Sequence, residues 1–447
     1  MKRLLFLLFQ LTAFVAVSAQ VKNDVTAPLH ALQPDYPVAY GVPDTAEIRQ
    51  TIDRIFRYLD AVTPAVLEDG KSGRPVVNRQ QVNADTRIRP GDFRLTSYEW
   101  GVVYSALLSA ADILKEDRYK GYVKSRIEFL TEWTPVFREL AKKGMFGSSR
   151  TYPFHQPAEP HALDDAGAIA AAMIKAKRKG ISSRLDEQIG VYIDYIFTKE
   201  YRLPDRTIAR NRPHKNTLWL DDLYMALPAL VQMGKLTGDK KFYDEVVFQL
   251  EAYHKRMFVK EKGLFMHGWV EGMEPHPAYH WGRANGWALL TLTEVLDALP
   301  ADYPGRASVL NMYRTHVQGL LRYQDGTGFW HQLLDRPDSY LETSCTAIYA
   351  YAIARGCNEG WLDPRAHAPV AALAWSAVRT KISANGQVEG TCVGTGMAFD
   401  PAFYYHRPVN VFAAHGYGPV LLAGSEMYRL AAGGGFAMND SGLQFYK

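Results

Sequence analysis

The chain has 447 residues, 47% of them hydrophobic, with 51 Lys and Arg against 47 Asp and Glu and a formal net charge of +4. So small and scattered a positive excess, with no basic stripe, excludes a nucleic-acid-binding surface. Three cysteines exclude a disulfide scaffold, and beyond the first residues no stretch is apolar enough to insert in a membrane.

In chain order, Lys2 and Arg3 precede the apolar run Leu4 to Val17, and Val17-Ser18-Ala19 is a small-residue cleavage site before Gln20. This predicts a signal peptide over 1–19 and export, to the periplasm of a Gram-negative bacterium. Residues 20–43 read as an N-terminal extension. The remaining length would ordinarily suggest two or three domains. With no linker, charge block or low-complexity tract, 44–447 is expected to be one domain.

Helical periodicity then dominates. Thr45 to Ala61 places Ile48, Ile52, Ile55, Phe56 and Leu59 on one face, with Asp44 as N-cap. Further helices are predicted at 97–115, 118–140, 162–179, 183–198, 220–237, 239–256, 282–299, 303–323, 341–355, 364–381 and 416–432. Period-two strands are few and short. A solenoid would need a repeating consensus, which is absent. The small and apolar runs Ala166 to Ile174 and Met225 to Met233 suit the inner helices of a closed double ring. The predicted fold is all-α, an (α/α)6 toroid. Cys345, Cys357 and Cys392 read as buried free thiols, with a pairing of Cys392 left open.

Two segments carry candidate chemistry. Asp221 and Asp222 open a helical run just after Trp219 and Leu220. Aspartates in a first turn ordinarily cap backbone N–H groups, but the large apolar neighbours and Trp219 point to a pocket. Asp164 and Asp165 likewise open an Ala-rich helix. A toroid gathers such helix starts at one end, where neighbouring carboxylates raise one another's proton affinity. One of them could then hold a proton as a general acid.

Trp281, Arg283 and Trp287 fall within about two helical turns. The tryptophans fit either core packing or sugar stacking. Arg283 fits either a salt bridge to an Asp pair or a fork for a substrate carboxylate. His267 reads as a pocket residue or a satisfied loop histidine. His276 and His280, with Pro275 and Pro277 around them, do not make a helical metal pair, and no metal or cofactor is expected.

Together these motifs resemble glycoside hydrolase family 105, the unsaturated rhamnogalacturonyl hydrolases, and more distantly family 88, the unsaturated glucuronyl hydrolases. The likeness runs from about residue 45 to the C-terminus. It covers Leu163-Asp164-Asp165, Trp219 to Met225, Trp281 to Trp287, Glu342-Thr343-Ser344 and His415 to Pro419. Ala284 stands where a second glycine is common. The resemblance implies the toroid and a substrate ending in a 4,5-unsaturated uronic acid, an acidic oligosaccharide left by a polysaccharide lyase. It also implies hydration of the C4=C5 double bond rather than attack at the anomeric carbon. It puts Asp221 in the acid's place and Asp164 as the supporting carboxylate, with Asp165 aligning almost as well. Asp165, Trp219, His267, Trp281, Arg283 and Trp287 are implied substrate-pocket residues. Two other classes stay open: a conventional two-carboxylate glycosidase on saturated glycans, and a non-catalytic binder of acidic oligosaccharides.

Overall fold

A computed structural model describes residues 40–147, 152–439 and 442–446. The expected signal peptide and all but the end of the extension lie outside the described residues. Fourteen helices are described: α1 (Thr45–Val62), α2 (Tyr98–Leu114), α3 (Asp117–Lys142), α4 (His155–Ala158), α5 (Gly167–Arg178), α6 (Asp186–Asp194) and α7 (Asp222–Thr237), followed by α8 (Lys240–Met257), α9 (Gly282–Ala298), α10 (Arg306–Leu321), α11 (Thr343–Asn358), α12 (Pro364–Arg379), α13 (Pro401–Tyr405) and α14 (Tyr417–Ala432). The twelve expected helices are all present. Only α4 and α13, each a single turn inside a loop, lacked a sequence signal.

The inner ring is α2, α5, α7, α9, α11 and α14, each packed on the next, with α14 closing back on α2. Outside them lie α1, α3, α6, α8, α10 and α12, completing the (α/α)6 toroid. Burial follows from this layering. Helix α9 is buried along nearly its whole length, whereas α1 buries one stripe, Ile48, Ile52, Ile55, Phe56 and Leu59.

One close approach matters for the site. A Cβ added at Gly167, the first residue of α5, would lie 1.6 Å from the carbonyl oxygen of Met225 in the first turn of α7. Glycine lets these two helix starts meet, and with them the pairs Asp164-Asp165 and Asp221-Asp222.

The ring has opposite chemistry at its two ends. Inner-helix starts contribute Tyr98, Asp221, Arg283 and Ser344. The far ends carry buried ion pairs, Lys175–Glu294 at 2.6 Å and Arg355–Glu426 at 2.7 Å. Strands are short. β1 (Leu67–Asp69), β2 (Pro75–Val76) and β3 (Thr86–Ile88) form a sheet in the first long loop. β4 (Thr217–Trp219) pairs antiparallel with β7 (Gly268–Val270), past the hairpin of β5 (Phe258–Val259) and β6 (Leu264–Phe265). All three cysteines are buried and free. Among the described residues no helix is long and apolar enough to cross a membrane.

Candidate active site

The register of β4 and β7 sets Trp219 opposite Gly268, and Leu220 N–H donates to the His267 carbonyl at 2.9 Å. Asp221 therefore leaves its strand beside His267. Its backbone occupies the N-cap position of α7, yet its side chain caps nothing. Instead, Asp221 Oδ2 lies 3.0 Å from His267 Nε2. His267 Nδ1 lies 2.7 Å from the Tyr404 hydroxyl, a contact spanning 137 residues of sequence. The helix-capping explanation of Asp221 thus falls away.

Asp222 is held quite differently. Arg210 grips it in a fork, with Nε 2.9 Å from Oδ2 and a terminal nitrogen 2.6 Å from Oδ1. That terminal nitrogen also reaches Asp164 Oδ2 at 3.4 Å. The guanidinium lies over the Trp219 ring, 4.0 Å from its centroid. Asp165 is similarly occupied, accepting from Gln156 Nε2 at 2.8 Å and from the His161 backbone at 3.1 Å, with His161 Nδ1 at 2.6 Å. Of the four carboxylates at the two helix starts, Asp222 and Asp165 thus have several partners each, whereas Asp164 meets Arg210 at 3.4 Å and Asp221 meets His267 at 3.0 Å.

Their electrostatics diverge. About a third of the Asp164 side chain, 34%, faces the cavity beside it. Burial of the remainder pushes its carboxyl up to about 6; Arg210 opposes this, while Asp222, Asp221 and Asp165 add to it. Burial also pushes Asp221 up, but His267, Arg210 and Arg283 together outweigh it and hold the carboxyl below the usual range. Sequence reasoning expected mutual repulsion to leave a proton on one member of the constellation. The structure puts the elevation on Asp164 and Asp222, through burial first, and holds Asp221 below the usual range.

A cavity of about 950 Å³ opens beside Asp164, lined among others by Asp164, Asp165, Asp222, Arg210 and Glu200, with Asp221 next in the chain to its wall. A second, of about 410 Å³, is lined by Glu99 and His415. His415 Nε2 and the Tyr98 hydroxyl lie 2.5 Å apart, linking the starts of α2 and α14. Burial, then Arg283, pushes His415 well below the usual histidine range, so the ring is neutral.

Several expected pocket residues have other duties. Trp281 and Trp287 are each 1% exposed. Trp281 packs on His267 and donates its indole N–H to Gln332 at 3.1 Å, and Trp287 stacks on Tyr224. The rings sit inside the toroid wall with no face open to a sugar. Arg283 is equally buried, and its terminal nitrogens donate to the carbonyls of Cys392 and Val393, both at 2.6 Å. It pins a loop rather than presenting an open fork. His267 is fully buried and Asp165 nearly so; each orients a neighbour. Trp219 alone of that set keeps partial exposure.

Sequence reasoning missed Arg210, Tyr404, Tyr98 and Glu99. Arg210 comes from the loop before β4 and Tyr404 from a one-turn helix, so neither had periodic context.

The comparisons agree with this architecture. A family model described as Glycosyl Hydrolase Family 88 matches residues 75–431. The chain is 30% identical over 215 residues to an unsaturated 3S-rhamnoglycuronyl hydrolase of Alteromonas sp. (strain LOR), covering 47% of this chain and 50% of that protein. It is 27% identical over 204 residues to an unsaturated rhamnogalacturonyl hydrolase of Bacillus subtilis (strain 168), covering 45% and 57%. The match thus spans about half the length of these curated relatives. Two solved structures share the fold. A family 105 glycoside hydrolase of C. acetobutylicum ATCC 824 has 23% identity, a TM-score of 0.61, and coverage of 76% of this chain and 96% of its own. A family 88 glycosyl hydrolase from Bacteroides vulgatus has 18% identity, a TM-score of 0.61, and coverage of 87% and 100%.

Proposed function

The chain belongs to Glycosyl Hydrolase Family 88, and from that premise we propose that it releases a 4,5-unsaturated uronic acid from the end of polysaccharide-lyase products by hydrating the C4=C5 bond. One observation carries the assignment of the acid. The Asp221 carboxylate, freed from capping its helix and two residues after Trp219, has one oxygen held by His267 at 3.0 Å. The names of the curated relatives support the unsaturated uronide as substrate.

The reaction runs as follows. The substrate's own carboxylate brings negative charge into the site and raises Asp221, which then takes up a proton. Asp221 delivers that proton to C4, and the positive charge is shared between C5 and the ring oxygen. Water adds at C5 and returns its proton to Asp221. The hemiketal opens and releases the partner sugar, so one water is consumed and Asp221 is regenerated. His267 holds Oδ2, leaving Oδ1 toward the reacting carbon. Asp164, pushed up to about 6, supports proton uptake beside it. Trp219, backed by Arg210, supplies the sugar-facing aromatic surface. The separation rule linking two carboxylates to retention or inversion does not govern this chemistry, because C1 is not displaced.

The same reading extends to the whole chain. Residues 1–19 act as a secretory leader and 44–447 as the catalytic unit, exported to the periplasm; the basic start and apolar run of the N-terminal sequence support this. The test is turnover of a panel of defined unsaturated disaccharides beside their saturated counterparts. Loss of ultraviolet absorbance on the unsaturated members alone is the expected result. Cleavage of saturated members alone would indicate a conventional glycosidase, and binding without turnover a carbohydrate-binding protein.

A further inference from the structure

Residues 392–413 run between α12 and α14 as a strap over the mouth of the ring. Arg283 pins the strap's first two carbonyls at 2.6 Å each, and Arg407 donates to Thr395 Oγ1 at 3.2 Å. A Cβ added at Gly268 would lie 2.0 Å from Met397 Sδ, so the strap is seated against β7. Its one-turn helix α13 carries Tyr404, which is fully buried.

The Tyr404 hydroxyl has two hydrogen-bond neighbours: it accepts from the Ala398 backbone N–H at 3.1 Å and meets His267 Nδ1 at 2.7 Å. Its own proton therefore goes to His267 Nδ1. That makes Nδ1 an acceptor and places the ring proton on Nε2, from which it is donated to Asp221 Oδ2 at 3.0 Å. The opposite tautomer would cost twice. The buried phenol proton would lack an acceptor, and an imidazole lone pair would face the Asp221 carboxylate.

We propose that Tyr404 is a positioning residue of the reaction: it fixes the tautomer of His267, and through it orients Asp221 for proton delivery. The strap thereby completes the acid, and Arg283 serves the site by holding the strap. This rests on the reading of Asp221 as the acid.

Other groups act on Asp221 from the elements around it. Arg210 and Arg283 hold it down together with His267, and Asp164, Asp222, Tyr98 and Tyr404 are its remaining ionisable neighbours. Removing the Tyr404 hydroxyl acts on Asp221 through His267 and also takes the acceptor from the Ala398 N–H. With His267 free to turn its proton away, Asp221 loses a donor and its carboxyl rises. A rate that requires protonated Asp221 then persists to higher pH.

The experiment compares wild type, Tyr404→Phe and Asp221→Asn on an unsaturated uronyl disaccharide across pH. Nitrogen-15 NMR of histidine-labelled protein accompanies it, with the His267 signals assigned through His267→Gln. Tyr404→Phe should lower kcat by about tenfold to a hundredfold, as expected when a general acid's partner takes the wrong tautomer. KM should hold, the alkaline limb of the kcat profile should move up, and His267 should change from the Nε2–H form to a mixture. A wild-type kcat with an unmoved limb and an unchanged tautomer would overturn the proposal. So would an Nδ1–H form in the wild type, a result that stands even if Tyr404→Phe fails to fold. Full activity in Asp221→Asn would sink the acid assignment instead, while the NMR result would still judge Tyr404.

Discussion

Replacing Arg210 by Met should destabilise the protein far more at pH 8 than at pH 5. Asp222 is 1% exposed, and Arg210 alone supplies its charged hydrogen bonds, at 3.1, 2.9 and 2.6 Å. Removing one member of a buried pair leaves an uncompensated charge and costs about 3–5 kcal/mol. The pH dependence follows from the sign of the shift. Burial pushes the Asp222 carboxyl up and Arg210 opposes it. Without Arg210 the carboxyl rises further, so the folded state favours the protonated form. A raised folded value gives stability that is present at low pH and lost as pH rises, so the variant is hurt least where Asp222 can take up a proton. Urea unfolding followed by tryptophan fluorescence at both pH values is the assay. The double variant Arg210→Met/Asp222→Leu should recover most of the loss, because an apolar pair of similar size replaces a broken ion pair. A loss below about 1 kcal/mol at pH 8, the range of exposed surface pairs, would refute the reasoning. So would an equal loss at both pH values.

Three further outcomes are expected. Gly167→Ala should cost about 1–3 kcal/mol or more through overpacking, because its Cβ would sit 1.6 Å from the Met225 carbonyl oxygen; an unchanged melting temperature would contradict the close approach of α5 and α7. Asp164→Asn should stabilise the protein at pH 7.5 relative to pH 4.5, because a carboxyl pushed up to about 6 favours folding while protonated and costs stability once ionised; equal melting shifts at the two pH values would argue against this. Trp219→Ala should raise KM by about threefold to tenfold, the equivalent of a lost aromatic contact of roughly 0.5–1.5 kcal/mol, whereas Trp287→Phe should lower stability and leave KM alone. The opposite pattern in steady-state kinetics would return Trp287 to the sugar-binding surface.

The architecture was legible because helices advertise themselves locally, outer ones such as α1 by a 3.6-residue apolar stripe after the cap Asp44 and inner ones such as α5 by a small, apolar run. The aspartate pairs were legible for a related reason: both stand at starts of inner helices, and a closed ring must bring those starts to one end. What each carboxylate does there was not legible. Asp221 and Asp222 are adjacent in sequence, yet one is turned to His267 and the other to Arg210, and both partners come from elsewhere in the chain. Tyr404 lies 137 residues beyond His267 on a single turn of helix, with no periodicity to mark it. Trp281, Trp287 and Arg283 carried the right residue types for sugar recognition. Only the packed ring reveals that the tryptophans are closed in on both faces and that Arg283 has spent its terminal donors on backbone carbonyls.

The central claim is that Asp221 protonates C4 of an unsaturated uronide. The most direct measurement follows the ultraviolet absorbance of the double bond and the release of the partner sugar together, in wild type and in Asp221→Asn, with circular dichroism to show that both are folded. The account predicts that wild type loses absorbance in step with release and that folded Asp221→Asn does neither. Wild-type bleaching by Asp221→Asn, or release by the wild type that runs ahead of bleaching with the double bond retained, would contradict it.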